Sequence, residues 1–316
     1  MTGGAAGREP RILMHVGGED AGDWHRGLAA ALPEATIAVW PEPAPDAEYL
    51  VLWRPPPELF AAAPAARAIF NLGAGVDAML EVPTLPADVP VIRLEDAGMA
   101  EQMADYVTLA VLAAYREQRV YAQQQQAARW ERRPYRPKRD FRVGILGLGV
   151  LGGIVAAALS RHGFPLAGWS RGRKAIPGVQ AFAGRAELPA FLSVTRMLVC
   201  LLPSTPETRG LLDRDALACL PRGAHLVNVA RGALVVDADL LAALDAGHIE
   251  SATLDVFHAE PLPASHPFWH HPRVAITPHA SAITLIDEST AQIAAKIRRL
   301  RQGLPVTGVV DRAYGY

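Results

Sequence analysis

The amino-acid sequence predicts an α/β protein made of two doubly wound parallel-sheet domains with a cleft between them. Three observations carry that expectation. Short apolar runs of strand length alternate with helical patterns in two series, a long segment without Pro or Gly separates the series, and a glycine-rich turn joins strand to helix at the start of the second. A chain of 316 residues is roughly two domains at about 150 residues each. With 50% hydrophobic residues it can bury a core in both.

Residues 1–9 are rich in Gly and Ala and are expected to be disordered. Residues 11–16 read as a buried strand closed by Gly17-Gly18. Further strands are expected at 35–40, 49–53, 68–72 and 89–94, with turns and short helical stretches around Leu28, Leu59 and Val76. From Glu101 to Arg129 apolar residues recur three or four apart at Met103, Val107, Ala110, Val111 and Ala114, the pattern of one long helix connecting the domains. Residues 130–139, with prolines and repeated arginines, read as an exposed linker. Beyond it strands are expected at 141–146, 166–169, 196–201, 225–229, 251–256 and 274–277. A last helix at about 282–302, stopped by Gly303 and Pro305, returns the chain to the first domain. The domains are therefore expected at 1–105 plus 283–316 and at 106–282.

The run Arg142-Val-Gly-Ile-Leu-Gly-Leu-Gly-Val-Leu-Gly152 leads from a strand into an apolar-periodic helix and sets Gly147, Gly149 and Gly152 in a GxGxxG pattern. Each glycine has a mechanical use. Gly147 permits the tight turn, Gly149 lets the backbone approach a pyrophosphate at the helix N-terminus, and Gly152 allows close helix-on-strand packing. With strand, turn, helix and a second strand ending at Trp169 in register, the pattern reads as a Rossmann-like dinucleotide site, against a purely structural glycine turn. An NAD site usually places Asp or Glu about 20 residues on, to accept from the ribose 2′-hydroxyl. This chain has Trp169-Ser170-Arg171 there, followed by Arg173 and Lys174. A guanidinium cannot accept, but it can pair with a 2′-phosphate, so NADPH is the better fit. The plain alternative is a solvated basic turn.

Three polar groups stand just after later strands, on the edge where open parallel sheets bind ligands. Arg231, in Asn228-Val-Ala-Arg-Gly232, could bind a carboxylate in bidentate fashion and polarise an adjacent carbonyl. His279, in Thr-Pro-His-Ala, is placed to donate a proton, and Glu260, in Asp255-Val-Phe-His-Ala-Glu-Pro-Leu262, would favour the protonated imidazole by charge pairing. Taken singly, each is more simply a surface ion pair or a structural histidine.

Together these motifs resemble the D-isomer-specific 2-hydroxyacid dehydrogenase family over nearly the whole chain. The family's phosphate loop corresponds to Gly147, Gly149, Val150, Leu151 and Gly152, and its Leu-Pro-x-Thr-Pro-Glu-Thr segment to Leu202, Pro203 and on to Thr208. Its arginine motif corresponds to Asn228, Val229, Ala230, Arg231 and Gly232, and its glutamate and histidine motifs to Glu260 and His279. Leu52-Trp-Arg-Pro-Pro56, Asn71-Leu-Gly-Ala-Gly-Val-Asp77, Arg93-Leu-Glu-Asp-Ala-Gly-Met99 and Val310-Asp-Arg-Ala-Tyr-Gly-Tyr316 point to an NADPH-preferring subgroup. The resemblance implies reduction of a small 2-keto acid of the size of glyoxylate or hydroxypyruvate by hydride transfer, with His279 as proton donor. It implies that backbone N–H groups of Leu72, Gly73, Ala74 and Gly75 bind the substrate carboxylate and that Trp53 walls the pocket. It also implies that Met99 lies near the nicotinamide, that Asp255 contacts the carboxamide, and that the protein is a homodimer, with 101–129 a candidate contact surface. Gly73 and Gly75 after a strand also suit an anion-binding nest on physical grounds, beside a plain strand-to-helix turn. Gly98-Met99 departs from the Pro-Gly-x-Asn loop of many members. Two rivals stay open: an NAD-dependent dehydrogenase for a larger D-2-hydroxy acid, and a dinucleotide-sensing protein without turnover.

Other features exclude more than they assign. Lys plus Arg total 31 against 32 Asp plus Glu, so there is no global field for nucleic acid, and the basic stretch from Arg129 to Arg139 is short and lies in the predicted linker. His266, His270 and His271 have no carboxylate or Cys at ligand spacing, so no metal is expected. Cys200 and Cys219 have no companion at motif spacing, which fits a reducing compartment. MTGGAAGREP lacks a signal pattern and no apolar run reaches membrane-spanning length. The expectation is a soluble cytoplasmic protein.

Overall fold

A computed structural model describes residues 9–18 and 21–316. The disorder expected at the N-terminus falls on residues 1–8, outside the described residues, except for Glu9. The chain divides into two units, Met1–Gly98 with Thr284–Tyr316, and Met99–Ile283.

The first unit opens with β1 (Arg11–Val16), α1 (Ala21–Ala31), β2 (Thr36–Val39), β3 (Tyr49–Trp53), β4 (Ala68–Asn71), α2 (Asp77–Leu80) and β5 (Val91–Arg93). The strands form one parallel sheet in the order β2-β1-β3-β4-β5, the flavodoxin-like arrangement. Parallel strands covered on both faces should be apolar throughout, and Leu50, Val51 and Leu52 of β3 with Ile69 and Phe70 of β4 are all buried.

The second unit begins with α3 (Met99–Tyr115) and α4 (Gln118–Gln126). It continues through β6 (Val143–Leu146), α5 (Val150–Arg161), β7 (Leu166–Ser170), β8 (Val179–Ala183), α6 (Gly184–Ser193) and β9 (Met197–Cys200). Then come α7 (Arg214–Cys219), β10 (Ala224–Asn228), α8 (Asp237–Asp245), β11 (Ile249–Leu254) and β12 (Val274–Ile276). Its seven strands are parallel in the order β12-β11-β10-β9-β6-β7-β8. Strand order reverses between β6 and β9, so the turn after β6 sits at the topological switch point of a Rossmann-like sheet. The final helix α9 (Ile286–Arg301) belongs to the first unit. There Gly27 of α1 lets the two helices approach so closely that a Cβ would stand 2.9 Å from Ile286 Cγ2.

Three elements differ from the sequence expectation. The long helix is broken: Glu117 takes a left-handed φ of 54°, and α4 starts after it. Met103, Val107, Ala110 and Val111 bury α3 against the α5 and β6 side chains, whereas α4 has no buried residue to hold it in line. The burial of Met103 and Ala104 in that cluster also explains why the unit boundary falls before α3 and not within it. Residues 179–183 form an edge strand that their mixed, half-exposed side chains conceal. The last helix starts at Ile286, four residues late; ahead of it Ile283 is held by Gln102, whose Oε1 accepts from its amide at 3.2 Å and whose Nε2 donates to its carbonyl at 3.0 Å.

At the N-terminal end of β10, away from the switch point, His225 is buried with Nδ1 2.8 Å from Ser251 Oγ and its ring 5.7 Å from that of Phe141. Burial pushes its imidazole down to about 3, and the cations Arg196, Arg136 and Arg119 push the same way. Below the ordinary histidine value the unfolded chain takes up a proton that the native state refuses, so this residue removes stability as pH falls from about 6.5 towards 3. At pH 5 the loss is about 2 kcal/mol. Denaturant melts of His225→Gln, which keeps a partner for Ser251, should show a correspondingly shallower decline between pH 6.5 and 5; parallel curves for the two proteins would contradict this.

Candidate active site

The turn after β6 shows why each glycine is needed. Gly147 has φ 113°, and a Cβ there would lie 2.8 Å from the Leu201 carbonyl. At Gly152 a Cβ would meet the Gly147 oxygen at 2.0 Å, so α5 can start against its own turn only with glycine. Gly149 is different: no atom lies within 4 Å of where its Cβ would stand. The backbone is open on that side, at the first turn of α5, where N–H groups and the helix dipole favour a phosphate. Val150 beside it is exposed and Leu151 half-buried.

At the end of β7, Trp169 is buried and donates Nε1–H to the Gly184 carbonyl at 2.9 Å, so its ring belongs to the core. Ser170 is buried too, with Oγ donating to the Gly172 carbonyl at 2.7 Å. Arg171 and Lys174 are exposed on the loop that follows, and Arg173 there pairs with Glu187 and the Ala181 carbonyl. After β9, Thr208 Oγ1 donates to the Pro203 carbonyl at 2.7 Å and accepts from the Thr205 amide, closing the turn around buried Leu202. Glu207 lies on this turn. The Thr205 hydroxyl at 2.9 Å holds its carboxyl below the usual range, with smaller help from Arg171 and Arg185.

The neighbouring strands β10, β11 and β12 end level, with Asn228 beside Leu254 and Leu254 beside Ile276. This register brings the later site residues to one edge. Asn228 is buried and ties its own turn, donating Nδ2–H to the Arg231 carbonyl at 2.9 Å and accepting from the Ala230 amide. Half-buried Arg231 then leaves the turn, with Nη1 2.7 Å from the Ala230 carbonyl; Val229 and Ala230 are buried. Gly232 follows because a Cβ there would stand 2.0 Å from the Phe257 carbonyl carbon.

Asp255 follows β11 with 0% exposure. Its Oδ1 accepts from Thr277 Oγ1 at 2.5 Å and the Ala280 amide at 2.8 Å, and its Oδ2 accepts from the Ser281 amide at 2.9 Å. Its carbonyl accepts from the His279 amide at 2.8 Å. This side chain therefore holds the loop after β12. Sequence reasoning missed Thr277, whose hydroxyl also pairs with Tyr106 Oη at 2.6 Å, since 171 residues separate the two positions. The Thr-Pro-His context was the one available signal.

His279 sits at φ 54°, a costly left-handed conformation for a residue with a Cβ. Its Nδ1–H donates to Glu260 Oε2 at 2.7 Å, while Glu260 Oε1 accepts from the Phe257 amide at 2.9 Å. The imidazole is 43% exposed and the carboxylate 27%. With Nδ1 committed, Nε2 is the nitrogen left to exchange a proton with a ligand. Arg231, Glu260 and His279 thus stand on adjacent strand ends of the sheet that carries the glycine turn.

In the first unit, the turn after β4 is drawn in by buried Asn71, whose Nδ2 donates to the Gly73 and Gly75 carbonyls at 2.8 and 3.0 Å. That direction leaves the amides of Gly73, Ala74 and Gly75 as the anion-binding candidates. Leu72 is a correction: its amide bonds the Leu52 carbonyl at 2.9 Å and extends the sheet. Gly73 is required by Trp53, whose ring lies 2.6 Å from where a Cβ would be. Met99 is buried and starts α3 after Asp96, Ala97 and Gly98, three successive left-handed residues. Among the described residues no cluster of three or more His, Cys, Asp or Glu could hold a metal ion, and no helix is long and apolar enough to cross a membrane.

Comparison with known proteins matches this chain to a family. Residues 108–281 match the model described as D-isomer specific 2-hydroxyacid dehydrogenase, NAD binding domain. The chain is 48% identical over 306 residues to glyoxylate/hydroxypyruvate reductase A of Serratia proteamaculans, covering 94% of this chain and 97% of that protein. Among solved structures, a D-isomer specific 2-hydroxyacid dehydrogenase from Xanthobacter autotrophicus Py2 in complex with NADPH and MES superposes with a TM-score of 0.93 at 42% identity, covering 98% of this chain and 100% of that one. The NADPH-dependent glyoxylate/hydroxypyruvate reductase of Sinorhizobium meliloti in complex with NADP and sulfate gives 0.90 at 36% identity, with coverage of 98% and 100%.

Proposed function

Because the chain belongs to the D-isomer specific 2-hydroxyacid dehydrogenase family, we propose that it is an NADPH-dependent reductase of small 2-keto acids, with glyoxylate and hydroxypyruvate as substrates. The observation that carries this reading is the His279–Glu260 pair beside Arg231, on the sheet edge that also bears the glycine turn. The chain's own residues suit the cofactor. Gly149 leaves the backbone open where a pyrophosphate would approach, and the end of β7 offers Arg171 and Lys174 where an NAD site would carry a carboxylate. The Xanthobacter structure with NADPH and the Sinorhizobium structure with NADP support the same choice, and the Serratia reductase supports the substrates.

When bound, NADPH supplies the hydride. Nε2 of His279 donates the proton to the substrate's carbonyl oxygen, and Glu260 keeps the ring oriented and balances its charge. Arg231 binds the substrate carboxylate through its guanidinium and stabilises negative charge that develops on the carbonyl oxygen. The amides of Gly73, Ala74 and Gly75 are a second candidate carboxylate holder, and Trp53 shields that turn. Trp169, Ser170, Leu202, Pro203 and Thr208 serve the cofactor by shaping the turns around it.

We assign self-association to the second unit. Residues 129–137 have no regular structure and expose Trp130 at 104%, Tyr135 is exposed in the same stretch, and Leu109 is exposed on α3. Apolar surface of this kind favours a homodimer. A cytoplasmic location suits an NADPH-consuming enzyme with two free cysteines.

His279→Ala should lower kcat with glyoxylate by about 10²- to 10⁴-fold, the range for a lost general acid, with NADPH affinity little changed; undiminished turnover, read from NADPH absorbance, would remove His279 from its role. Arg171→Ala should raise the KM for NADPH while leaving that for NADH nearly as it was, and equal effects on both would count against a 2′-phosphate contact. Sedimentation velocity should give a dimer that Trp130→Glu weakens; a monomeric parent chain refutes the assignment.

A further inference from the structure

Glu260 reaches His279 from residues 255–261, a segment without regular structure, so the 2.7 Å contact depends on whatever fixes that segment. Two contacts fix it to the stretch that follows Arg231. The first is the backbone approach at Gly232, where a Cβ would meet both the Phe257 carbonyl carbon and, at 2.4 Å, the His258 nitrogen.

The second is made by the His258 side chain. Its Nε2 lies 2.8 Å from the Val235 carbonyl, which can only accept, so Nε2 carries a hydrogen and donates. The same nitrogen lies 3.6 Å from Asp237 Oδ1, at the first residue of α8. Asp237 Oδ2 in turn lies 3.4 Å from His266 Nε2, and His266 Nδ1 accepts from the Phe268 amide at 3.3 Å. Asp237 thus sits between two imidazoles. Burial raises its carboxyl and the two imidazoles oppose that rise. With Nε2 of His258 already donating to a carbonyl, this cluster is arranged for hydrogen bonding and not for metal. Val235 and Asp237 lie four and six residues beyond Arg231, and His258 lies two before Glu260, so one imidazole joins the arginine-bearing stretch to the glutamate-bearing one.

We infer that His258 is a positioning residue, which holds Glu260 against His279 by anchoring residues 255–261 to Val235 and Asp237. It touches no reacting atom. The inference rests on the reading of His279 as proton donor and adds a residue to which that reading gives no part. Its chemistry predicts which replacements succeed. His258→Phe keeps the ring volume and loses the donor, while His258→Gln places an amide N–H where Nε2 lies.

The test compares these variants with the parent enzyme in NADPH-coupled reduction of glyoxylate, in NADPH binding by fluorescence titration, and in the pH profile of kcat. His258→Phe should lose about tenfold or more in kcat, the scale of a small misplacement of a catalytic group, with its NADPH dissociation constant within about twofold of the parent. Its pH profile should shift, since a loosened carboxylate no longer accompanies the imidazole, and His258→Gln should regain most of the rate and the parent profile. If the phenylalanine variant does not fold, His258→Ser, exposed and too short to reach Val235, is read in its place. Parent-like kcat and pH profile in the donor-less variant overturn the inference, as does a His258→Gln enzyme that folds yet remains equally impaired. A parent protein that turns over no 2-keto acid overturns the proposed function and this inference together.

Discussion

The carboxylate of Asp255 is wholly withdrawn from water, and the site is assembled around it. A bare buried carboxylate would cost several kcal/mol. Here the cost is met by the Thr277 hydroxyl and the Ala280 and Ser281 amides, all three supplied by the loop after β12. Those same donors fix the path of that loop. The Asp255 backbone completes the tie by donating to the Asn228 carbonyl on one side and accepting from His279 on the other. Three strand ends are thereby locked together by one residue, and Arg231, Glu260 and His279 inherit their places from it.

Strain enters at one point of this arrangement. A left-handed backbone is of order 1–3 kcal/mol unfavourable for a residue with a side chain, and His279 holds it because its own amide and that of Ala280 are bound to Asp255. The conformation turns the imidazole towards Glu260, which fixes Nδ1 as donor and so settles the tautomer. Gly232 has the complementary duty: by having no side chain it lets the stretch carrying Arg231 pass against the backbone beside Phe257. A buried carboxylate, a strained histidine and a missing Cβ are parts of a single construction.

Much of this was legible in the sequence because the relevant signals are local. Parallel strands covered on both faces are continuous apolar runs, and the turn at 147–152 needs its glycines at fixed spacing, so most of both sheets and the strand–turn–helix with its glycines could be read without a structure. The Arg231, Glu260 and His279 motifs stand in short contexts of their own. What could not be read depends on partners distant in sequence or on burial. The break at Glu117 goes with α4 having no buried side chain, the edge strand at 179–183 has no distinctive pattern, and the inward aim of Asp255 is set by Thr277, itself paired with Tyr106. Leu72 illustrates the same limit. Its place beside Gly73 suggested a nest, and only pairing with Leu52 shows that its amide is already taken.

The first unit is interrupted by the whole of the second, and α9 closes it by packing on α1 through Gly27 and by pairing Arg298 with Glu34. During ribosomal synthesis β1 to β5 leave the exit tunnel long before the helix that completes them. Domains fold as units as they emerge, so the nucleotide-binding half finishes first and the older segment waits, with part of its apolar surface uncovered, for a piece translated afterwards. That interval is set by the order of the elements alone.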